Sequence, residues 1–299
     1  MKNKVSVIIP TYKGSEVVSR AIESCINQTY DNIEIIVVDD NGEGTEEQIK
    51  TESNIKKYIT LNKVKYIKHE KNKNGSAARN TGFKNSTGDF ICLLDDDDEY
   101  LPYKVEKQVN MLLQLSNDWG MVYCGFLGPD KGKSGNILFD LLIHSCVIGS
   151  DSFMVRRNIW EKCNGFDESF RRHQDYEFTA RVAAITKIKY QRFIGFTWED
   201  LKRNVPKSQK QVKEYRTHYL NKMMFLINRL SFFQKRFVIS CNALEVISKK
   251  NILDYKEYEE YCRQWINNIN FLDFLITIFY KIFRKIKWKI KRNGIKYEK

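Results

Sequence analysis

The chain has 299 residues, 42% of them hydrophobic and 29% charged, with a formal net charge of +13. That composition belongs to a soluble globular protein long enough for one large α/β domain with an appendage. Seven scattered cysteines without a CxxC pair argue against a zinc site or a disulfide framework, and for reduced thiols in a reducing compartment.

The charge is unevenly distributed. Residues 206–299 carry 21 Lys and Arg against 8 Asp and Glu, whereas residues 1–205 carry 29 of each. A neutral body of residues 1–205 and a cationic region of residues 206–299 with an anionic partner follow from that split. Met1-Lys2-Asn3-Lys4 leads straight into an apolar run, which predicts no signal peptide and a cytoplasmic location.

The body alternates strand and helix patterns. Val5–Ile9 reads as a strand, and Glu16–Ile26 as a helix with Val17, Ala21, Ile22 and Ile26 on one side. A second buried strand, Ile33–Val38, ends in Asp39-Asp40, and a helix follows near Thr45–Lys57. Val64–Ile67 is the third strand, Ala77–Asn85 the third helix and Phe90–Leu94 the fourth strand. This order predicts βαβ units, a mostly parallel sheet flanked by helices, and a ligand site beyond the carboxyl ends of the strands. Beyond a helix around Pro102–Leu115, strands are expected at Met121–Phe126 and Ser152–Val155, and helices at Asn158–Cys163 and Asp175–Ile185. Gly128–Gly135 reads as a loop.

The residues from about Val212 onward are helical by pattern. Apolar residues at Trp265, Ile269, Leu272, Ile276, Phe279, Phe283, Ile286 and Ile290 form a stripe beside Lys281, Arg284, Lys285, Lys287, Lys289, Lys291 and Arg292. The run Phe271–Tyr280 is too short to cross a bilayer and contains Asp273. A basic amphipathic helix on an anionic membrane surface fits this pattern, as does packing on the body or on a second subunit in a homo-oligomer.

Polar residues gather where the strands end. Pro10-Thr11-Tyr12 follows the first strand, Asp39-Asp40 the second, and Asp95, Asp96, Asp97 and Asp98 the fourth. Four adjacent carboxylates are tolerable around a hard divalent cation such as Mg²⁺ or Mn²⁺; a solvated acidic turn is the alternative. Together with Asn74-Gly75-Ser76-Ala77-Ala78-Arg79-Asn80, and Gly165-Phe166-Asp167-Glu168 followed by Gln174-Asp175-Tyr176-Glu177, this ordered set resembles glycosyltransferase family 2. That family comprises inverting nucleotide-sugar transferases of the GT-A fold, and the resemblance covers roughly residues 4–200.

The resemblance implies a role for each motif. Pro10, Thr11 and Tyr12 would line the nucleobase pocket, and Asp40, in preference to Asp39, would accept from the base or ribose. Gly75 opens the helix that carries Arg79, whose cation suits a pyrophosphate or a base carbonyl. Asp97 would hold the metal, Asp95 would contact ribose or a metal-bound water, and Asp96 shares the donor site. Asp175 is the expected base, with Glu177, Asp167 and His173 as competitors. Asp167 can instead order its turn, while His173 and Trp198 are candidates for contacting the acceptor.

The expected activity is Mn²⁺- or Mg²⁺-dependent transfer, with inversion, from a nucleoside-diphosphate sugar (UDP-linked by expectation) to a saccharide acceptor. A lipid-linked acceptor at the inner face of the cell membrane is expected, in polysaccharide biosynthesis. A nucleotidyltransferase is the enzymatic alternative, although Pro10-Thr11-Tyr12-Lys13-Gly14 is a poor phosphate loop. The regular apolar stripe argues against a nucleic-acid partner for the basic region.

Overall fold

The computed structural model describes residues 2–125, 132–199, 206, 208–247 and 254–294, with side chains described only as far as residue 286 in the last stretch. The chain forms two compact units, Met1–Leu141 with Ser145–Arg203, and Leu142–His144 with Asn204–Lys299.

In the first unit β1 (Val5–Thr11), α1 (Val18–Ile26), β2 (Ile33–Asp39), α2 (Glu46–Thr60) and β3 (Lys65–Lys68) follow one another. Next come α3 (Gly75–Lys84), β4 (Phe90–Leu93), the two-residue β5 (Glu99–Tyr100), α4 (Lys104–Gln114) and β6 (Trp119–Gly125). A short helix α5 (Leu138–Leu142) precedes β7 (Phe153–Arg156), α6 (Arg157–Lys162), α7 (Gln174–Ala183), β8 (Lys187–Ile194) and β9 (Phe196–Thr197).

Seven strands form one sheet in the order β3-β2-β1-β4-β7-β6-β8, and β5 pairs separately with β9. Neighbouring strands run parallel except at β7, which is antiparallel to both β4 and β6. The mostly parallel sheet expected from the βαβ pattern is therefore present. Successive side chains of a strand face opposite ways, and the core divides accordingly. Val5, Val7 and Ile9 pack with α1, α2 and α4, whereas Ile8 packs with residues of α6 and α7 on the other face.

The structure departs from the sequence expectations in two places. β8 and the β5–β9 pair were not anticipated, because Lys187–Ile194 interleaves Lys, Tyr, Gln and Arg with its apolar residues. The last body helix ends at Ala183, which leaves Ile185 exposed beyond it. Residues 128–131 of the Gly128–Gly135 loop lie outside the described residues, and Gly135, at φ +103°, bridges to Ile188.

The second unit contains α8 (Gln209–Ile227), α9 (Phe232–Val246), α10 (Tyr255–Cys262) and α11 (Phe271–Gly294), as the helical pattern beyond Val212 predicts. Half-buried His144 lies in it, 2.8 Å from Arg216 Nη1 and 2.9 Å from Asn242 Oδ1. Burial, with Arg216 beside it, pushes the imidazole pKa down to about 3, so this histidine is a neutral structural group. All seven cysteines are buried and free.

Candidate active site

The parallel strands deliver their ends to one edge of the sheet, and the antiparallel β7 begins at that same edge. At the end of β1 the buried Thr11 donates its hydroxyl to Asp96 Oδ2 at 2.7 Å. Gly14 makes room for this pair: a Cβ there would lie 1.9 Å from Asp96 Oδ2 and 2.9 Å from Thr11 Oγ1. Tyr12, the next residue along, keeps 46% of its surface exposed, as a residue that stacks on a planar ligand needs.

Asp40 follows β2, but its carboxylate is turned to the protein. It accepts from His69 Nδ1 and the Lys73 N–H, both at 2.7 Å, and from Asn72 Nδ2 and the Asn74 N–H, both at 2.9 Å. Asn74, held in this way at φ +85°, caps α3 by accepting from the Ser76 and Ala77 N–H groups. Asp40 thus orders the loop that launches α3. Asp39 is likewise occupied, by Asn41 and by the Tyr66 hydroxyl at 2.7 Å.

One turn into α3, Arg79 joins two other elements. Its Nη2 donates to Asp95 Oδ1 at 2.6 Å and its Nη1 to Gln174 Oε1 at 2.7 Å, while the guanidinium lies 5.5 Å from the centre of the Phe166 ring. A side chain at Gly75 would crowd this fork, its Cβ 3.1 Å from Nη1 and 3.3 Å from Gln174 Oε1. Arg79 Nε is buried without a hydrogen-bond partner, so some of its donor capacity is unspent.

The acidic turn is compressed. Asp98 and a residue the sequence reading passed over, Asp151, are both buried, and the Asp95 N–H donates to Asp151 Oδ1 at 2.6 Å. Burial, with Asp95 and Asp97 nearby, pushes Asp98 up to about 7. Burial and the charges of Asp95 and Asp98 drive Asp151 well above the usual carboxylate range. Burial is the larger cause of both shifts and the neighbouring carboxylates the smaller, and the oxygens are of the hard type that suits Mg²⁺ or Mn²⁺. Among the described residues no three His, Cys, Asp or Glu side chains form a ready-made metal cage. Asp97 and Asp95 are only partly covered, whereas Asp96 and Asp98 are buried.

Asp175 is the second residue of α7, next to the glutamine that holds Arg79. Burial pushes its carboxyl up to about 6, and the Tyr176 N–H and the Arg79 charge oppose the rise. Its competitors are placed differently. Buried Glu177 is clasped by Arg181 through both oxygens. Asp167 accepts from the Ser169 N–H at 2.9 Å and so orders its turn. His173 caps α7 in the left-handed conformation, φ +62°, and stacks on Tyr176 at 5.2 Å. Trp198 is 56% exposed. Its neighbour Glu199 donates its N–H to Asp98 Oδ1 at 3.0 Å, which fastens the Trp198 segment to the acidic turn.

Thr11 and Asp96 therefore meet, as do Arg79, Asp95 and Gln174, with Asp175 alongside; Asp40 supports the loop behind them. Besides missing Asp151, the sequence reading gave no role to Asn80, which clips the Gly165–Glu168 turn to α3. Its side chain accepts from the Phe166 N–H at 2.8 Å and donates to the Phe166 carbonyl and to Glu168 Oε1, both at 2.9 Å. Ser150-Asp151-Ser152 ahead of Phe153-Met154-Val155 was the available signal for Asp151: polar residues flanking a buried strand, here at its beginning.

A family model, glycosyl transferase family 2, matches residues 6–189. An uncharacterized glycosyltransferase of Rickettsia typhi is 35% identical over 205 residues, which are 62% of this chain and 60% of that protein. The chain thus spans less than two thirds of that relative's length. An uncharacterized glycosyltransferase of Haemophilus influenzae is 24% identical over 97% of this chain and 99% of its own length. The amylovoran biosynthesis glycosyltransferase AmsB of Erwinia amylovora is 27% identical over 59% of this chain and 63% of its own. Among solved structures, S. aureus TarS 1–349 in complex with UDP-GlcNAc superimposes with a TM-score of 0.63 at 18% identity, covering 88% of this chain and 79% of that one. The mannosyltransferase PcManGT from Pyrobaculum calidifontis, in complex with GDP-Man and Mn²⁺, gives 0.63 at 13% identity, covering 95% and 81%. These structural likenesses establish a shared fold.

Proposed function

This chain belongs to glycosyl transferase family 2 and is a glycosyltransferase, and we propose that it moves a sugar from a UDP-sugar to a saccharide acceptor with inversion at the anomeric carbon. The observation that carries the reading is the Arg79 bridge. One guanidinium ties the acidic end of β4, through Asp95, to the start of α7, through Gln174, and Asp175 stands beside that junction. A donor-binding group and a proton acceptor are thereby fixed across one edge of the sheet. The TarS and PcManGT complexes, with a UDP- and a GDP-sugar, support a nucleotide-sugar donor. AmsB supports a setting in polysaccharide assembly, where the acceptor would be lipid-linked.

In this reading Pro10, Thr11 and Tyr12 receive the base, Asp96 is held ready by Thr11, and Arg79 faces the diphosphate charge. Asp97, with Asp95 beside it, would hold a divalent cation on the diphosphate, where such an ion supplies Lewis-acid stabilisation of the departing nucleoside diphosphate. The Asp175 carboxylate takes the proton of the acceptor hydroxyl as that oxygen bonds to the anomeric carbon. The bond to the phosphate oxygen breaks, and its electron pair leaves with the nucleotide. A pKa of about 6 suits this task, because the group is ionised at neutral pH yet basic enough to accept a proton. Trp198 and His173 are the residues assigned to the acceptor in this reading.

Calorimetric titration of UDP-, GDP- and dTDP-sugars, with and without Mn²⁺, tests the proposal. One donor is expected to bind at least roughly tenfold more tightly with Mn²⁺ present, and Asp97→Asn is expected to abolish the difference. Absence of binding to every donor tested would overturn it.

A further inference from the structure

The stripe that the sequence marks as the apolar face of the last helix is not the face that packs. Within the C-terminal unit α11 is secured by Phe274, buried against Tyr258 at 4.8 Å, by buried Thr277, and by Tyr280 against Phe237 at 5.1 Å. Ion pairs hold the same side. Arg236 forks onto Asp273, and Lys281 Nζ meets Glu245 Oε1 at 2.7 Å. Residues 273, 274, 277, 280 and 281 thus make up the face turned to α9 and α10. The stripe lies elsewhere: Leu272, Ile276, Phe279, Phe283 and Ile286 are 62%, 48%, 67%, 65% and 50% exposed. Five large apolar side chains in a 4-3-4-3 row on one helix are far from the scattered apolar residues of an ordinary surface.

We propose that this face of α11 docks on an anionic lipid surface, with the helix lying along the headgroup boundary. Charge selects this occupant. Arg284 and Lys285 are exposed within the span of the row, and Lys287, Lys289, Lys291 and Arg292 continue the run in sequence. No Asp or Glu occurs from Phe274 to Tyr297, so a second copy laid against this face would bring cations together without a compensating charge. Duplex nucleic acid would answer the charge and leave the greasy row in water. Anionic lipid answers both: apolar rings enter the acyl boundary while long cationic side chains reach the phosphates. At 24 residues α11 is about 36 Å long, yet among the described residues no helix is apolar enough to cross a bilayer, so the helix rests on the surface.

Sedimentation with vesicles tests the docking without any turnover, so its result is independent of the donor chemistry proposed above. The full chain should bind vesicles of phosphatidylcholine with phosphatidylglycerol at physiological ionic strength, and far more weakly those of phosphatidylcholine alone. Phe279→Ser with Phe283→Ser should reduce binding roughly tenfold or more, and Arg284→Gln with Lys285→Gln should do so only on the anionic vesicles. Unchanged circular dichroism and nucleotide binding in both variants would show an intact fold. Failure of the unaltered chain to bind anionic vesicles would overturn the proposal. So would a dimer that Phe279→Ser with Phe283→Ser dissociates, which would make a second copy the occupant.

Discussion

Asp175 occupies a position that works against the fold. Its pKa rises from an ordinary 3.8 to about 6, mainly through burial, so the folded state binds this proton more tightly than the unfolded chain does. For a carboxyl raised in this way, stability is fullest at low pH and is lost as pH climbs from about 4 through about 6. At pH 7 the protein holds a carboxylate it would hold more cheaply as an amide. Asp175→Asn should therefore melt a few degrees higher than the unaltered chain at pH 7, with the gain shrinking towards pH 4, by calorimetry in matched buffers. An unchanged or lower Tm at pH 7 would contradict the raised carboxyl pKa. Sequence alone singles out Asp175, Arg79 and Asp95 as candidates, because each sits in a short motif with a recognisable order. It does not reveal what holds them: Gln174 as a partner of Arg79 is a contact across 95 positions, and Asp151 as a partner of Asp95 one across 56.

At the level of elements the site depends on how α7 is seated. Asn80 on α3 grips the turn at Gly165–Glu168, and Gly165, at φ +65°, leaves no room for a Cβ, which would lie 2.4 Å from Asn80 Oδ1. Arg181 closes the other side by donating to the Cys163 and Gly165 carbonyls. The start of α7, with Gln174 and Asp175, is thereby set against Arg79. Asn80→Ala leaves the Phe166 N–H and carbonyl without their partner, at a cost of about 1–3 kcal/mol. It should lower kcat well beyond any change in donor affinity, measured by nucleotide titration beside steady-state transfer; equal losses in both would show that the clip serves donor binding instead. The strand–helix alternation up to β4 is legible because buried parallel strands read as continuous apolar runs. β7 was legible as a strand but not in direction, and its antiparallel course is what brings Asp151 to the edge where the parallel strands end.

The whole molecule divides as its charge does. The neutral body carries the sheet, and the family match stops at residue 189, within it. The basic remainder is helical, and its sequence pattern correctly marked the apolar stripe of α11. Which side of that helix packs was not legible, because Arg236–Asp273 and Lys281–Glu245 recruit a mixed polar face for the purpose and leave the greasier one exposed. The proposed catalytic and surface-binding duties thus fall in different parts of the chain and can be tested separately. The most direct test of the catalytic account measures sugar transfer and Mn²⁺-dependent donor binding side by side in the unaltered enzyme and in Asp175→Asn, across pH 5 to 8. The account predicts unaltered donor binding in Asp175→Asn with transfer reduced by roughly 10²–10⁴-fold. It also predicts that transfer by the unaltered enzyme declines as pH falls through about 6. Transfer by Asp175→Asn at the unaltered rate, or a pH profile flat through 6, would contradict it.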